Sequence, residues 1–306
     1  MSQMEESRIN DDIDLKEIIN AVNVHRWFII ITVFIAGMIS VSAALYLPNK
    51  YKSDTLVAPV SSDNTSALAG LASQFGGLAS MAGINLSGGG DDKSILALEV
   101  LKSRKFLMKF VTDNNLAKDI LAASDWDEKA DQIIYDQEIY SNNQWVRSPP
   151  KSRPIIPTPL EVYEEFLSKN LRVSEDEDTG YYRIAVIHYS PVWAKDVLEK
   201  LMLALNRTVK QSDISEADKS IAYIEKSLAA TTNADMMNVF FQLIEQQYQV
   251  KMLATVKADY VFKTVDPPII AEEKDSPSRA LICIIGVLLG GFLSVFISLV
   301  RYFWNK

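Results

Sequence analysis

The chain has 306 residues, 48% of them hydrophobic and 23% charged, with a formal net charge of −8 and a mean hydropathy of +0.03. That balance excludes a disordered chain, 12 glycines exclude a collagen-like one, and the single cysteine, Cys283, excludes a disulfide scaffold. A sequence pI near 5.0 argues against nucleic acid as a partner.

Residues 1–26 form a tail too short to fold alone, with three basic residues (Arg8, Lys16, Arg26) against six acidic ones. The 21 residues 27–47, WFIIITVFIAGMISVSAALYL, carry no charge. As a helix they cover about 30 Å, the thickness of a hydrocarbon core, and are read as a transmembrane helix. Val41-Ser42-Ala43 resembles a signal-peptide cleavage site, but the acidic tail and the long apolar run favour an uncleaved anchor. A second uncharged run, ALICIIGVLLGGFLSVFISLV, occupies residues 280–300 and leaves a tail of 301–306. Two spans put both termini on one side of the membrane. Lys50, Lys52 and Arg279 flank the side opposite Arg26 and Arg301, so flanking charge does not set the orientation. Independent folding is expected of residues 48–279, where the net charge is −7.

Within that segment, residues 51–60 (YKSDTLVAPV) read as a strand. Residues 61–92 are rich in Gly, Ser and Ala, and no GxxxxGK[ST] phosphate loop is present. Ser94 is placed to cap a helix running to about residue 110. Thr158-Pro159-Leu160-Glu161 is a stronger start signal, with a hydroxyl at the cap, Pro at the first helical position and Glu at the third. Residues 171–174 and 181–189 read as two strands joined by an acidic turn ending in Gly180. After Ser190-Pro191 there is no Gly or Pro for 75 residues, 192–266. Leu198, Leu201 and Leu205 form one stripe, and Phe240, Leu243, Ile244 and Tyr248 another. Thr231-Thr232-Asn233 interrupts them, with Thr232 and Asp235 placed as a capping box. Two long helices, 192–230 and 233–257, are expected to meet in a hairpin; the first would be roughly 58 Å long. Its stripes need cover from the hairpin partner or a neighbouring subunit. Residues 260–265 (YVFKTV) read as a last strand, after which Pro267, Pro268 and Pro277 stiffen the return path to the membrane. The fold class is α+β: two transmembrane helices flanking a domain with a membrane-proximal mixed α/β base and a long protruding helical hairpin.

No catalytic constellation emerges. Only His25 and His188 exist, so neither a His-based triad nor a His-rich metal site is supported. HExxH, GxSxG and the Rossmann fingerprint are missing from the sequence. The expectation is a non-enzyme with no catalytic, cofactor-binding or metal site. The spans do carry a spacing signal. Gly286 and Gly290 form a GxxxG with Gly291 adjacent, and Ala36, Ser40 and Ala44 recur every four residues in the first span. Small residues at that spacing let membrane helices approach closely.

Five stretches make the chain resemble the Wzz-type polysaccharide co-polymerases, the bacterial O-antigen chain-length determinants. They are IDLKEIINAV before the first span, YKSDTLVAPV after it, EDTGYYRIAVIHYSPVWAKDVLEKLMLALN, ISEADKSIAYIEKSL through MMNVFFQLIEQQ, and KADYVFKTVDPPIIAEEKDSPSRAL. They cover residues 13–60 and about 160–290, whereas 61–157 match less clearly. Ala271 stands where many members carry a further proline. The chain stops six residues after its second span, as in the kinase-less branch. The resemblance implies a two-span protein of the bacterial inner membrane with both termini cytoplasmic and the bulk periplasmic. It implies no enzyme activity and no cofactor. It implies a ring-like homo-oligomer that sets the modal length of lipopolysaccharide O-antigen or a related surface polysaccharide. Its partners would be copies of itself, the inner-membrane polymerase, the growing lipid-linked polysaccharide and membrane lipids, but no nucleic acid. The alternative is a membrane-anchored periplasmic sensor or adaptor, which would need a cytoplasmic output domain.

Overall fold

A computed structural model describes residues 25–60, 91–150 and 153–304. The tail before residue 25, the Gly/Ser/Ala-rich stretch over 61–90 and the last two residues lie outside the described residues. The chain falls into two compact units: Lys50–Lys274 is one, and the segments up to Asn49 and from Asp275 form the other.

The flanking unit is a pair of helices, α1 (Arg26–Tyr46) before the middle segment and a second (Arg279–Trp304) after it. Both are long and apolar enough to cross a membrane. Their outer faces are bare: Phe34 is 68% and Phe292 76% exposed. A core helix of a soluble domain buries such side chains, so this apolar surface asks for a lipid surround. At the second helix's first turn the Arg279 guanidinium donates to Asn49 Oδ1 at 3.1 Å.

The middle unit is built on one four-stranded antiparallel sheet. Its strands are β1 (Tyr51–Pro59), β6 (Leu171–Asp176), β7 (Tyr181–His188) and β8 (Phe262–Asp266), in the order β6-β7-β1-β8. The first strand after α1 therefore pairs with the last strand of the segment. Ser53, Thr55 and Val57 alternate inward on β1, as do Tyr182, Ile184 and Val186 on β7, the two-residue period of a sheet buried on one face. Gly180, at φ +66°, turns the β6–β7 hairpin through a conformation that few residues other than glycine adopt.

Helices α2 (Asp91–Lys102), α3 (Arg104–Asp113) and α4 (Ala117–Leu121) precede two small hairpins, β2 (Ala123–Asp127) with β3 (Gln132–Tyr135) and β4 (Tyr140–Ser141) with β5 (Gln144–Trp145). The single helix expected from Ser94 is in fact two. Ser103 leaves helical geometry at ψ 143°, and its Oγ accepts the Phe106 N–H, restarting the chain as α3. Helix α5 (Pro159–Glu165) begins at Thr158, whose side chain accepts the Glu161 N–H, and it continues as a π-helical turn over Phe166–Asn170.

Helix α6 (Pro191–Ala229) starts at Ser190, whose side chain accepts the Trp193 N–H. Its inner half supplies Ala194, Val197, Leu198, Leu201, Leu205 and Val209 to the core, beside Leu101, Leu107, Phe166, Ile184 and Phe262. Beyond Val209 only Ala217 and Ile221 of this helix are buried. Helix α7 (Ala234–Val256) returns along it and buries only Ala254. The cap of α7 is Asn233, not the Thr232 box expected from the sequence: Asn233 Oδ1 accepts the N–H groups of Asp235 and Met236 at 2.9 and 3.3 Å. The final helix, Arg279–Trp304, is hereafter α8.

Candidate functional site

Two arrangements stand out, one in the helix pair and one where the long helix is rooted. In the pair, the small-residue positions of the two sequences meet. A Cβ added to Gly286 would overlap the Ser40 hydroxyl and stand 2.6 Å from Ser40 Cβ. One added to Gly290 would overlap the Cβ of Ala36. Ala44 is buried in the same unit. Gly291 is turned aside, with Val33 Cγ2 4.0 Å from its would-be Cβ, whereas Gly37, which the spacing did not single out, faces Val287 Cγ2 at 3.5 Å. Ser40 does not cross to the other helix; its Oγ–H donates to the Ala36 carbonyl at 2.8 Å, so the contact is one of close packing.

The proline positions fall in two places. Pro267 and Pro268 directly follow β8 in the middle unit, while Pro277 precedes α8 in the flanking one. Prolines lack an N–H to donate. Hydroxyls on β1 hold this edge instead: Thr55 Oγ1–H donates to the Asp266 carbonyl and Ser53 Oγ–H to the Ile269 carbonyl, each at 2.7 Å.

The root of α6 is organised around Asp119, a residue that no sequence signal singled out. Its carboxylate accepts from the Tyr135 hydroxyl at 2.7 Å and from Trp193 Nε1–H at 3.1 Å. The Trp193 ring stacks on His188 with centroids 4.0 Å apart. His188 Nδ1 accepts the Ser190 N–H at 3.1 Å, which leaves Nε2–H to donate to the Asp119 carbonyl at 2.9 Å. The neutral ring satisfies both partners. Burial pushes the His188 pKa down to about 4, against the opposing pull of the Asp119 carbonyl and carboxylate. Burial, reinforced by the bond to Asp119, also raises the pKa of the Tyr135 phenol.

Further along α6, Asp213 accepts from Tyr260 at 2.6 Å and pairs with Lys93 at 2.6 Å, while Lys93 donates to the Tyr260 hydroxyl at 2.8 Å. Burial, then the bond to Asp213, raises the Tyr260 pKa. Lys210 Nζ donates to the carbonyls of Thr255 and Lys257 at 3.1 and 3.3 Å, closing the C-terminal end of α7 where a cation is favoured. These groups hold elements of the middle unit together. Among the described residues, no group of three or more His, Cys, Asp or Glu could hold a metal ion.

No curated protein matches the chain. A solved full-length bacterial polysaccharide co-polymerase is similar at 14% identity and a TM-score of 0.38, over 95% of this chain and 98% of that one. A family model described as "Wzz: Chain length determinant protein" matches residues 11–114. The match includes IDLKEIINAV, α1 and β1 and runs on through residues that looked less alike in sequence; the later stretches of resemblance lie beyond it. Over residues 11–114, the chain matches the Wzz chain length determinant proteins, the family that its sequence resembles.

Proposed function

We propose that the protein is a non-enzymatic polysaccharide co-polymerase that sets the modal chain length of lipopolysaccharide O-antigen, or of a related surface polysaccharide, made by an inner-membrane polymerase. The observation that carries this reading is the match of residues 11–114 to the chain length determinant family. In it, residues 27–47 and 280–300 span the bacterial inner membrane, both termini are cytoplasmic, and residues 48–279 form the periplasmic domain. The bare apolar faces of α1 and α8 support the spans.

A ring-like assembly of identical chains is the second part of the proposal. Tyr223, Phe241, Tyr248 and Met252 lie uncovered on the α6–α7 hairpin, Tyr223 at 73% exposure. An amphipathic hairpin with this much bare apolar surface gains from neighbouring copies. Such a ring would act as a scaffold for the polymerase and the growing lipid-linked polysaccharide, with Gly286 and Gly290 setting the approach of the two spans. Deleting the gene is expected to turn a clustered ladder of surface polysaccharide lengths into a random one. An unchanged ladder would count strongly against the reading.

A further inference from the structure

The outer face of the sheet gathers cations at the end where β1 begins. Lys50 and Lys52 lie on the side of the chain opposite the buried Ser53, Thr55 and Val57. Lys52 stands across from Ile187, and Arg172 across from Ala185, on the same face of β7. Lys50 Nζ stands 5.0 Å from the centroid of the Tyr189 ring. Burial first and then Lys169 push the Lys50 pKa down, Glu165 pulls against them, and Arg172 adds a smaller downward push.

The carboxylates nearby are mostly engaged. Glu165 pairs with Lys169 at 2.6 Å, and Asp54 pairs with Arg183. Asp125 lies near enough to act on Tyr189. Arg172 spends its Nη1 on the carbonyls of Ser168 and Leu171, both at 2.9 Å. Lys50 and Arg172 thus stand beside a third cation with no ion-pair partner of their own among the described residues, in a chain whose net charge is −8. With Glu165 committed to Lys169, the cations beside Lys50 outnumber the carboxylates that pair with them, and such an excess favours an anion from outside. The sequence limits where that anion can be. Lys50 follows Tyr46, the last residue of α1, by four residues, which reach at most about 14 Å when extended. That is comparable with the ~10 Å screening length at moderate salt.

We propose that Lys50, Lys52, Lys169 and Arg172, with the Tyr189 ring among them, form a binding surface for the phosphate headgroups of anionic membrane lipids. Basic clusters beside a span attract anionic lipid, and a tyrosine suits the interface with its apolar ring and polar tip. The surface also gives a role to Lys50 and Lys52, which the flanking-charge rule left unexplained. It rests on the reading of α1 and α8 as membrane spans.

The test is native mass spectrometry of the full-length protein from detergent, titrated with phosphatidylglycerol or phosphatidylcholine. Wild type should retain phosphatidylglycerol preferentially. Lys50→Gln with Arg172→Gln should bind it about tenfold more weakly, with phosphatidylcholine binding unchanged, while Lys50→Arg with Arg172→Lys keeps the preference. The charge-preserving pair and an unchanged thermal midpoint separate loss of the surface from loss of the fold. Equal retention of the two lipids by wild type, or undiminished phosphatidylglycerol binding by the glutamine variant, would overturn the proposal. So would displacement of the lipid by inorganic phosphate alone, which would make a free anion the ligand. Membrane fractionation tests the spans separately: a protein found in the membrane but without lipid preference loses this surface and keeps its topology.

Discussion

Gly290 and Ala36 meet so closely that a Cβ on the glycine would overlap the alanine's. Gly286 stands to Ser40 in the same way, one turn away. Between lipid-facing helices, close backbone approach is a main source of association, because lipid tails are as apolar as the side chains they would replace. Gly290→Leu is therefore expected to part α1 and α8 while leaving insertion intact, since leucine is itself favoured in a bilayer. Under the proposed function it impairs length control; wild-type lengths from an inserted variant would remove this face from the account. Gly290→Ala alone should weaken the pairing, by about 1–3 kcal/mol if the helices cannot yield. Adding Ala36→Gly should restore it, and a double-mutant cycle on thermal stability in detergent reads the coupling.

His188 should make the middle unit acid-sensitive. Its pKa is about 4 in the fold and about 6.5 in an unfolded chain. Above pH 6.5 both states hold the neutral ring and the stability is fully present. As pH falls from 6.5 towards 4, the unfolded chain takes up a proton that the fold refuses. Stability then drops, by up to roughly 3 kcal/mol once both values are passed. Urea midpoints measured from pH 7 to 5 should fall in wild type. In His188→Gln they should start lower and fall less; equal slopes would show that another group is responsible.

Asp213 ties α6 to α2 through Lys93 and to the approach to β8 through Tyr260. Tyr260→Phe is expected to cost about 1 kcal/mol, the net value of one hydrogen bond. Asp213→Ala should cost more, roughly 1–3 kcal/mol, because two partners lose their acceptor. Thermal unfolding of the two variants checks the order.

Asn233 caps α7 with a single side-chain oxygen. Asn233→Ala should lower the stability of the helix start by about 1 kcal/mol and Asn233→Gly by only a few tenths. Hydrogen exchange at the amides of Asp235 and Met236 should quicken in the alanine variant, while the Trp193 amide at the start of α6 stays unchanged.

What was legible in the sequence follows from how local each signal is. Thr158 and Ser190 are read correctly as caps because hydroxyl, proline and following residues stand together in the chain. The α+β class and the long central helix follow from the apolar runs and from 75 residues without Gly or Pro. The break at Ser103 escapes, since a serine inside a helical pattern is as compatible with continuing as with capping. Thr232 and Asn233 are adjacent and both able to cap, so the local sequence does not tell the two apart. Strands of two to five residues at β2–β5, with polar side chains such as Asp125, Gln132 and Gln144, give no alternation to read. Asp119, His188 and Trp193 gather from positions up to 74 residues apart, and Lys93 reaches Tyr260 across 167. Only the fold brings such residues together. The GxxxG spacing singles out Gly286, Gly290 and Gly291 alike; Gly286 and Gly290 stand against Ser40 and Ala36, while Gly291 is turned aside, a difference that spacing alone does not give.

The most direct measurement of the central claim is a reconstituted one. Purified polymerase and its lipid-linked repeat units in vesicles, with and without this protein, would be run to completion and the products sized by electrophoresis. The account predicts a broad, random length distribution from the polymerase alone and a clustered one when the full chain is present. Identical distributions in the two reactions would contradict it.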